Sequence, residues 1–292
     1  MNLANYYRLL RPHQYLKNVF VWVGLVYFHP FAWDKVSQVG TVFLAFCAAA
    51  SCVYVFNDIF DAASDRLHPV KRNRPIANGS VSIRGAWVLS AILALLGLGL
   101  AAVVSDQALV LIGVYLIINM AYSLRLKEVV ILDVFIISAG FMLRILAGTV
   151  GVGIPPSQWL LLTGLMVTLF LGFAKRRAEL LMLEDSHQTD PVSVRRVLND
   201  YSPVVLDQLT SITAACTVLS YGLYTVSPDT VKAHGTHALF YTLPFIIYGV
   251  FRYLFLLHHH ARGSDTAKDL LTDTHLMLTG LLWLVVTLSV LA

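Results

Sequence analysis

Nine runs of mostly apolar residues, about 15 to 24 residues each, alternate with short polar breaks along the chain. They lie near residues 18–33, 38–57, 85–104, 107–124, 129–150, 157–174, 204–226, 237–257 and 270–291. At about 1.5 Å per helical residue, each crosses or nearly crosses a hydrocarbon core of about 30 Å. Each therefore reads as a membrane-spanning helix. His29-Pro30 interrupts the first run, which predicts a tilted or broken segment. Ser105-Asp106-Gln107 makes the third and fourth runs a tight hairpin, and Gly151 to Pro156 is a turn by composition. No internal repeat and no long linker divides the chain, so residues 1–292 are expected to form one domain. The fold expected is an all-α, polytopic bundle of nine transmembrane helices.

Composition supports that pattern. Of 292 residues, 57% are hydrophobic and 13% charged, with a mean hydropathy of +0.70. Soluble domains carry about 25% charged residues, so an ordinary cytosolic enzyme and a disordered chain are both excluded. No apolar run followed by a small-residue cleavage site opens the sequence, and no signal peptide is expected. Cys47, Cys52 and Cys216 all fall inside apolar runs, as small helix residues rather than disulfide or metal partners.

Basic residues set the expected orientation. With nine spans, 18 of the 21 Lys and Arg residues fall on one side, while Lys35 and Lys232 lie opposite and Arg144 sits within a span. The positive-inside rule makes the rich side cytoplasmic, so the N-terminus is expected inside. A bacterial inner-membrane protein with its polar site facing the cytoplasm is the corresponding expectation. The net charge of +4 adds only headgroup contacts to this.

Carboxylates accompany the basic residues chiefly in one stretch, Tyr54 to Pro75. Asn57, Asp61 and Asp65 are spaced i, i+4, i+8 and line one helix face, whereas Asp58 points about 100° away. Two or three oxygen side chains on one face at a membrane boundary suit Mg²⁺, which takes one or two carboxylates and completes its shell with water and phosphate oxygens. The same acids can instead pair with Arg66, Lys71 and Arg74 as a loop clasp. Lys71 and Arg74 read as a clamp for a phosphorylated substrate, or as headgroup anchors. Lys17 and Asn18, at the mouth of the first run, reach towards the same cavity, or Lys17 simply snorkels.

A second cluster, Tyr122 to Asp133, includes Lys127. Arg144 follows Asp133 by 11 residues, nearly three turns, so both point one way about 16 Å apart. An arginine that deep in an apolar run faces the bundle interior and is a functional candidate. Lys175-Arg176-Arg177 ends the sixth run; Lys175 and Arg176 are expected to reach a phosphate, and Arg177 to mark topology. His258-His259-His260 has no nearby acid or cysteine at ligand spacing and reads as a wet helix end. No glycine-rich phosphate loop, nucleophile elbow or nucleic-acid module is present in the sequence, so no nucleic-acid partner is expected.

Asn57-Asp58-x-x-Asp61-x-x-x-Asp65 followed by Arg74-Pro75 resembles the first aspartate-rich motif of the UbiA superfamily of intramembrane prenyltransferases. That resemblance implies a nine-helix bundle binding Mg²⁺ and a diphosphate. The second DxxxD motif of its aromatic prenyltransferases has no counterpart here, since Glu128 to Asp133 holds one aspartate. Lys17-Asn18, His68-Pro69-x-Lys71-x-x-Arg74-Pro75, Tyr122 to Lys127, Leu143-Arg144 and Lys175-Arg176-Arg177-Ala178-Glu179-Leu180 resemble instead the phosphoribosyltransferase branch that acts on polyprenyl phosphates.

The resemblance implies transfer of 5-phosphoribose from 5-phosphoribosyl 1-diphosphate to a polyprenyl (decaprenyl-type) phosphate, for a cell-envelope ribosyl or arabinosyl lipid. It places Asn57, Asp61 and Asp65 at Mg²⁺, and Lys17, Tyr54, Lys71, Arg74, Tyr122, Lys127, Arg144, Lys175 and Arg176 at the substrates. Two other functions compete with it: an aromatic prenyltransferase using an isoprenyl diphosphate, and a lipid transporter without catalysis. A homo-oligomer is compatible with the same apolar surface.

Overall fold

The computed structural model describes residues 3–28, 32–68, 71–186, 198, 200–259 and 272–291. Its described residues are helical, with no strand among them. The helices are α1 (Leu3–Leu10), α2 (Val23–Val26), α3 (Trp33–Phe60), α4 (Ala62–Leu67), α5 (Ile83–Val104) and α6 (Asp106–Leu124). They continue as α7 (Leu132–Ala147), α8 (Gln158–Ser186), α9 (Pro203–Val226), α10 (Pro228–His234), α11 (Leu243–His259) and α12 (Thr274–Leu291).

Among the described residues, eight helical segments are long and apolar enough to cross a membrane, making this a multi-pass membrane protein. They match eight of the nine expected runs. The first run takes another form: Pro12–Trp22 is a 3-10 helix, continued by the single turn of α2. A 3-10 helix rises about 2.0 Å per residue, so its 11 residues advance about 22 Å, and α2 extends the reach. The His29-Pro30 break expected there lies outside the described residues, as do Arg195, Arg196, His260, Arg262 and Lys268.

Hydroxyl caps punctuate the bundle where the apolar runs begin. Ser82, Ser105 and Ser202 accept hydrogen bonds from the amides of Gly85, Ala108 and Val205 at the starts of α5, α6 and α9. Such a cap satisfies one of the four amides a helix start leaves bare. Ser105 alone separates α5 from α6, in extended backbone, which is the predicted hairpin.

α3 is the central helix, buried along most of its length, and packs on α5, α6 and the 3-10 segment. α8 packs on α7 and α9, while α12 exposes most of its apolar surface. Gly148, just after α7, meets the backbone of Val21: a Cβ there would overlap the Val21 carbonyl. This close approach seats the first segment against α7 and brings Asn18 beside Arg144.

Asp273 ties α12 to α11. Its carboxylate accepts from Arg252 Nε (3.2 Å) and Nη2 (2.8 Å), and from the Leu276 amide at the start of α12 (3.0 Å). The Arg252 hydrogen bond, chiefly, holds the Asp273 carboxyl down at about 2. A carboxyl depressed in the folded state stabilises above its unfolded value, and that contribution is lost as pH falls through about 2. Asp273→Ala is therefore expected to lower thermal stability in detergent by about 1 kcal/mol or more at neutral pH. An unchanged melting midpoint would refute the assignment.

Candidate active site

The end of α3 carries the acids. Asn57 Nδ2 donates to Asp61 Oδ2 at 2.9 Å, as i, i+4 spacing predicts. The line breaks at Asp65. α3 ends at Phe60, and Asp61 sits in the junction before α4. Past this junction Asp65 turns to a different partner, Arg74, whose Nη1 donates to Asp65 Oδ2 (2.7 Å) and to Asp58 Oδ1 (3.1 Å). Asp58 also accepts from Arg11 Nη2 at 2.6 Å. The expected triad is thus two pairs: Asn57 with Asp61, and Asp58 with Asp65 around Arg74.

The first pair is open and the second closed. Asp58 and Asp65 are buried, and two arginines neutralise them as a clasp. Arg74 is in this arrangement an ion-pair partner of the motif. Asp61 is about a quarter exposed, and its Oδ1 faces Lys127 Nζ at 2.9 Å. Lys127 comes from a short 3-10 turn, Leu126–Glu128, between α6 and α7, so this contact joins two loops of the bundle. A cation already stands against Asp61.

Arg144 lies deeper. It is 5% exposed, and its partners are all uncharged. Nε donates to Asn18 Oδ1 (2.8 Å), Nη1 to the Gly140 carbonyl (2.7 Å) and Nη2 to the Tyr115 hydroxyl (3.0 Å). Phe46, Tyr115 and Phe141 offer ring faces at 4.7 to 5.5 Å. Asp133, although on the same helix face, does not reach it. Burying a guanidinium without a carboxylate is costly unless every donor is engaged, and the hydrogen bonds and rings meet part of that cost.

Asp133 serves Arg176 instead. Arg176 is fully buried, its Nε donating to Asp133 Oδ2 (2.6 Å), Nη1 to Glu179 and Nη2 to the Tyr122 hydroxyl (3.2 Å). The expectation that Arg176 reaches a phosphate is corrected: its donors end on acids and a phenol inside the protein. Successive helix positions differ by about 100°, and α8 turns Arg176 inward while Lys175, half-buried, lies 3.9 Å from Glu179. Arg177 pairs with Asp207 (2.8 Å) rather than marking topology alone. Tyr54 lies under Arg11, 5.2 Å from its ring centre. Lys17 is half-buried immediately before Asn18, and the backbone amide of Lys71 donates to His68 Nδ1 at 3.3 Å.

The His68 imidazole is shifted below its ordinary value, first by burial and then by the Lys71 charge, which favours its neutral form. Arg11, Tyr115 and Tyr201 partner the expected residues without any signal in the spacing, and Asp58 and Glu179 do so from within the motifs already quoted. Their contacts join residues up to 70 apart in sequence, as the Ile131 amide to the Tyr201 hydroxyl does at 2.6 Å.

Comparison with known proteins places this architecture. A family model described as the UbiA prenyltransferase family matches residues 18–289. The chain belongs to the UbiA prenyltransferase family. A decaprenyl-phosphate phosphoribosyltransferase of Corynebacterium glutamicum is 32% identical over 287 residues, covering 94% of this chain and 83% of that protein. A protein of the same name from Mycobacterium tuberculosis is 31% identical, with 97% and 92% covered. A UbiA homolog from Archaeoglobus fulgidus bound to DMAPP and Mg²⁺ superposes with a TM-score of 0.74 at 16% identity, over 98% of this chain and 99% of that one.

In this UbiA-family chain, the two kinds of ion pair predict opposite behaviour. Asp133→Ala deprives the fully buried Arg176 guanidinium of one of its two carboxylates and is expected to cost about 3 kcal/mol, read as a fall in thermal stability in detergent. Asp61→Asn, at a partly exposed pair, is expected to change it by under about 1 kcal/mol. Equal effects would contradict this division into fully buried and partly exposed carboxylates.

Proposed function

We propose that the chain transfers 5-phosphoribose from 5-phosphoribosyl 1-diphosphate to a polyprenyl phosphate, releasing diphosphate, at the cytoplasmic face of a bacterial inner membrane. Residues 1–292 act as one transferase domain in this reading. The observation that carries it is the Asn57–Asp61 pair, opposed by Lys127 in a chain alignable over nearly its whole length with phosphoribosyltransferases of this name. A donor with three phosphates needs several cationic contacts, and Lys17, Lys71, Lys127 and Lys175 are the candidates. Arg74, held by Asp58 and Asp65, borders the same mouth.

Asn57 and Asp61 fit Mg²⁺, an ion that needs only one or two carboxylates from the protein. The position of Lys127 against Asp61 argues that the site accepts a cation. No cluster of three His, Cys, Asp or Glu stands ready for a metal among the described residues, which suits an ion completed by phosphate oxygens. When bound, Mg²⁺ supplies charge neutralisation for the leaving diphosphate. Asp65 then acts by orienting Arg74, not as a ligand.

The bond that breaks joins ribose C1 to the diphosphate oxygen, which departs with the electron pair. An ionised oxygen of the acceptor phosphate forms the new bond to C1, so no general base is required. Lys127, which faces Asp61 at 2.9 Å, would be free for the donor phosphates if Asp61 held the metal, and would there stabilise the growing charge. Tyr54 and Tyr122 border the sugar. Arg144, the buried cation without a carboxylate, offers its field to the acceptor phosphate. The polyprenyl tail enters an apolar cavity of about 350 Å³ whose walls include Phe20, Val23, Phe170, Tyr253 and Trp283. The lipid stays within the bilayer in this reading.

Purified protein given polyprenyl phosphate, Mg²⁺ and 5-phosphoribosyl 1-diphosphate is expected to yield phosphoribosylated lipid by mass spectrometry, abolished by EDTA. A prenylated product from geranylgeranyl diphosphate and 4-hydroxybenzoate would overturn the donor assignment. Asp61→Asn is expected to abolish turnover with monodispersity retained. Lys17→Ala is expected to raise the donor KM and spare that of the lipid; an unchanged donor KM returns Lys17 to a snorkelling role.

A further inference from the structure

Arg11 and Ile131 are the two non-glycine residues with positive φ among the described residues, and each flanks a segment that carries a lysine of the site. Arg11 precedes the 3-10 helix of Lys17. Ile131, at φ 67° and ψ −47°, follows the turn of Lys127. A β-branched residue rarely adopts this backbone, and such strain concentrates where function requires it. The Leu132 amide donates to the Val130 carbonyl at 2.8 Å, closing a three-residue γ-turn of the rarer, strained hand around Ile131.

What holds the turn is Tyr201. Its hydroxyl accepts from the Ile131 amide (2.6 Å) and donates to Asp133 Oδ1 (2.8 Å), whose other oxygen takes Arg176 Nε. Asp133 and Arg176 are fully buried and mutually neutralised, so they form a rigid anchor. The Tyr201 ring packs with Val134, Leu169, Phe173 and Leu206. Burial shifts the phenol upward, which keeps its proton in place for Asp133. Tyr201 thus spends its hydroxyl inside the protein.

We propose that Tyr201 is a positioning residue that, by clamping the Ile131 γ-turn to the Asp133–Arg176 ion pair, sets the reach of Lys127 to Asp61. The mechanics follow from the chain path. Residues after Ile131 are fixed in α7, so a change of φ at Ile131 swings the segment before it as a body. Lys127 rides on that segment, four residues back. Asp133 and Arg176 therefore serve the site at one remove.

This inference rests on the assignment of Lys127 to the donor phosphates, and its test separates the two. Tyr201→Phe keeps the ring and removes the hydroxyl. In the full-length chain it is expected to raise the KM for 5-phosphoribosyl 1-diphosphate about tenfold, with the lipid KM unchanged. Lys127→Ala is expected to do the same, and the double variant to be no worse than Lys127→Ala. Adding Ile131→Gly to Tyr201→Phe is expected to recover most of the loss, because glycine takes positive φ without steric cost. Multiplying effects in the double variant, or no recovery with glycine, would overturn the proposal. Amide exchange across residues 126–131 gives a readout independent of any donor. It is expected to quicken in Tyr201→Phe, and unchanged exchange overturns the clamp even if the wild type uses another substrate.

Discussion

An ionised side chain near hydrocarbon must find a partner, and the polar end of this bundle is organised around that requirement. Arg74 and Arg11 close on Asp58 and Asp65, Arg176 on Asp133 and Glu179, and Lys127 on Asp61. These pairs tie together the ends of α3, α7 and α8 with the loops between them. Buried pairs of this kind add little net stability, since desolvation offsets most of the attraction, but they leave few alternative arrangements. The depth of each pair sorts its role. The fully buried Arg176–Asp133 pair braces the wall, whereas at Asp61 and Lys127 both partners are about a quarter exposed. Arg144 stands outside the scheme, its charge met by neutral hydrogen-bond acceptors and ring faces.

The sequence displayed the membrane spans because a helix in lipid must be apolar all round, a pattern that survives any packing arrangement. It displayed Asn57 and Asp61 as a pair because the last turn of α3 carries through to Asp61, whose amide still donates to the Asn57 carbonyl. Asp65 escaped that logic: α3 stops at Phe60 with no glycine or proline to announce it. Arg144 was visible as an arginine in an apolar run, yet its partners Asn18 and Tyr115 lie 126 and 29 residues away. For Lys175 and Arg176, helix periodicity says that neighbours face different ways, and only packing on Asp133 decides which faces in. The γ-turn at Ile131 carries no composition signal at all, since isoleucine is among the residues least suited to it.

Site and scaffold therefore depend on different information. The spans follow from composition, which many sequences satisfy. The placement of charges depends on long-range contacts between loops, where one residue's backbone angle decides what a lysine four positions away can touch. UbiA-family membership, shown over residues 18–289, belongs to the scaffold. The differences among its members' substrates would be written in those loops.

The 3-10 form of Pro12–Trp22 has a consequence for the apolar cavity beside it. Its hydrogen bonds are poorer than those of an α-helix, and its side chains stack in eclipsed rows. It borrows rigidity from α3 and α7, against which it leans. Phe20 on this segment and Trp283 on α12 face the same apolar cavity. That wall of the cavity is thus the part with the least stiffness of its own, and its shape is set by α3 and α7 like a panel hung on two posts.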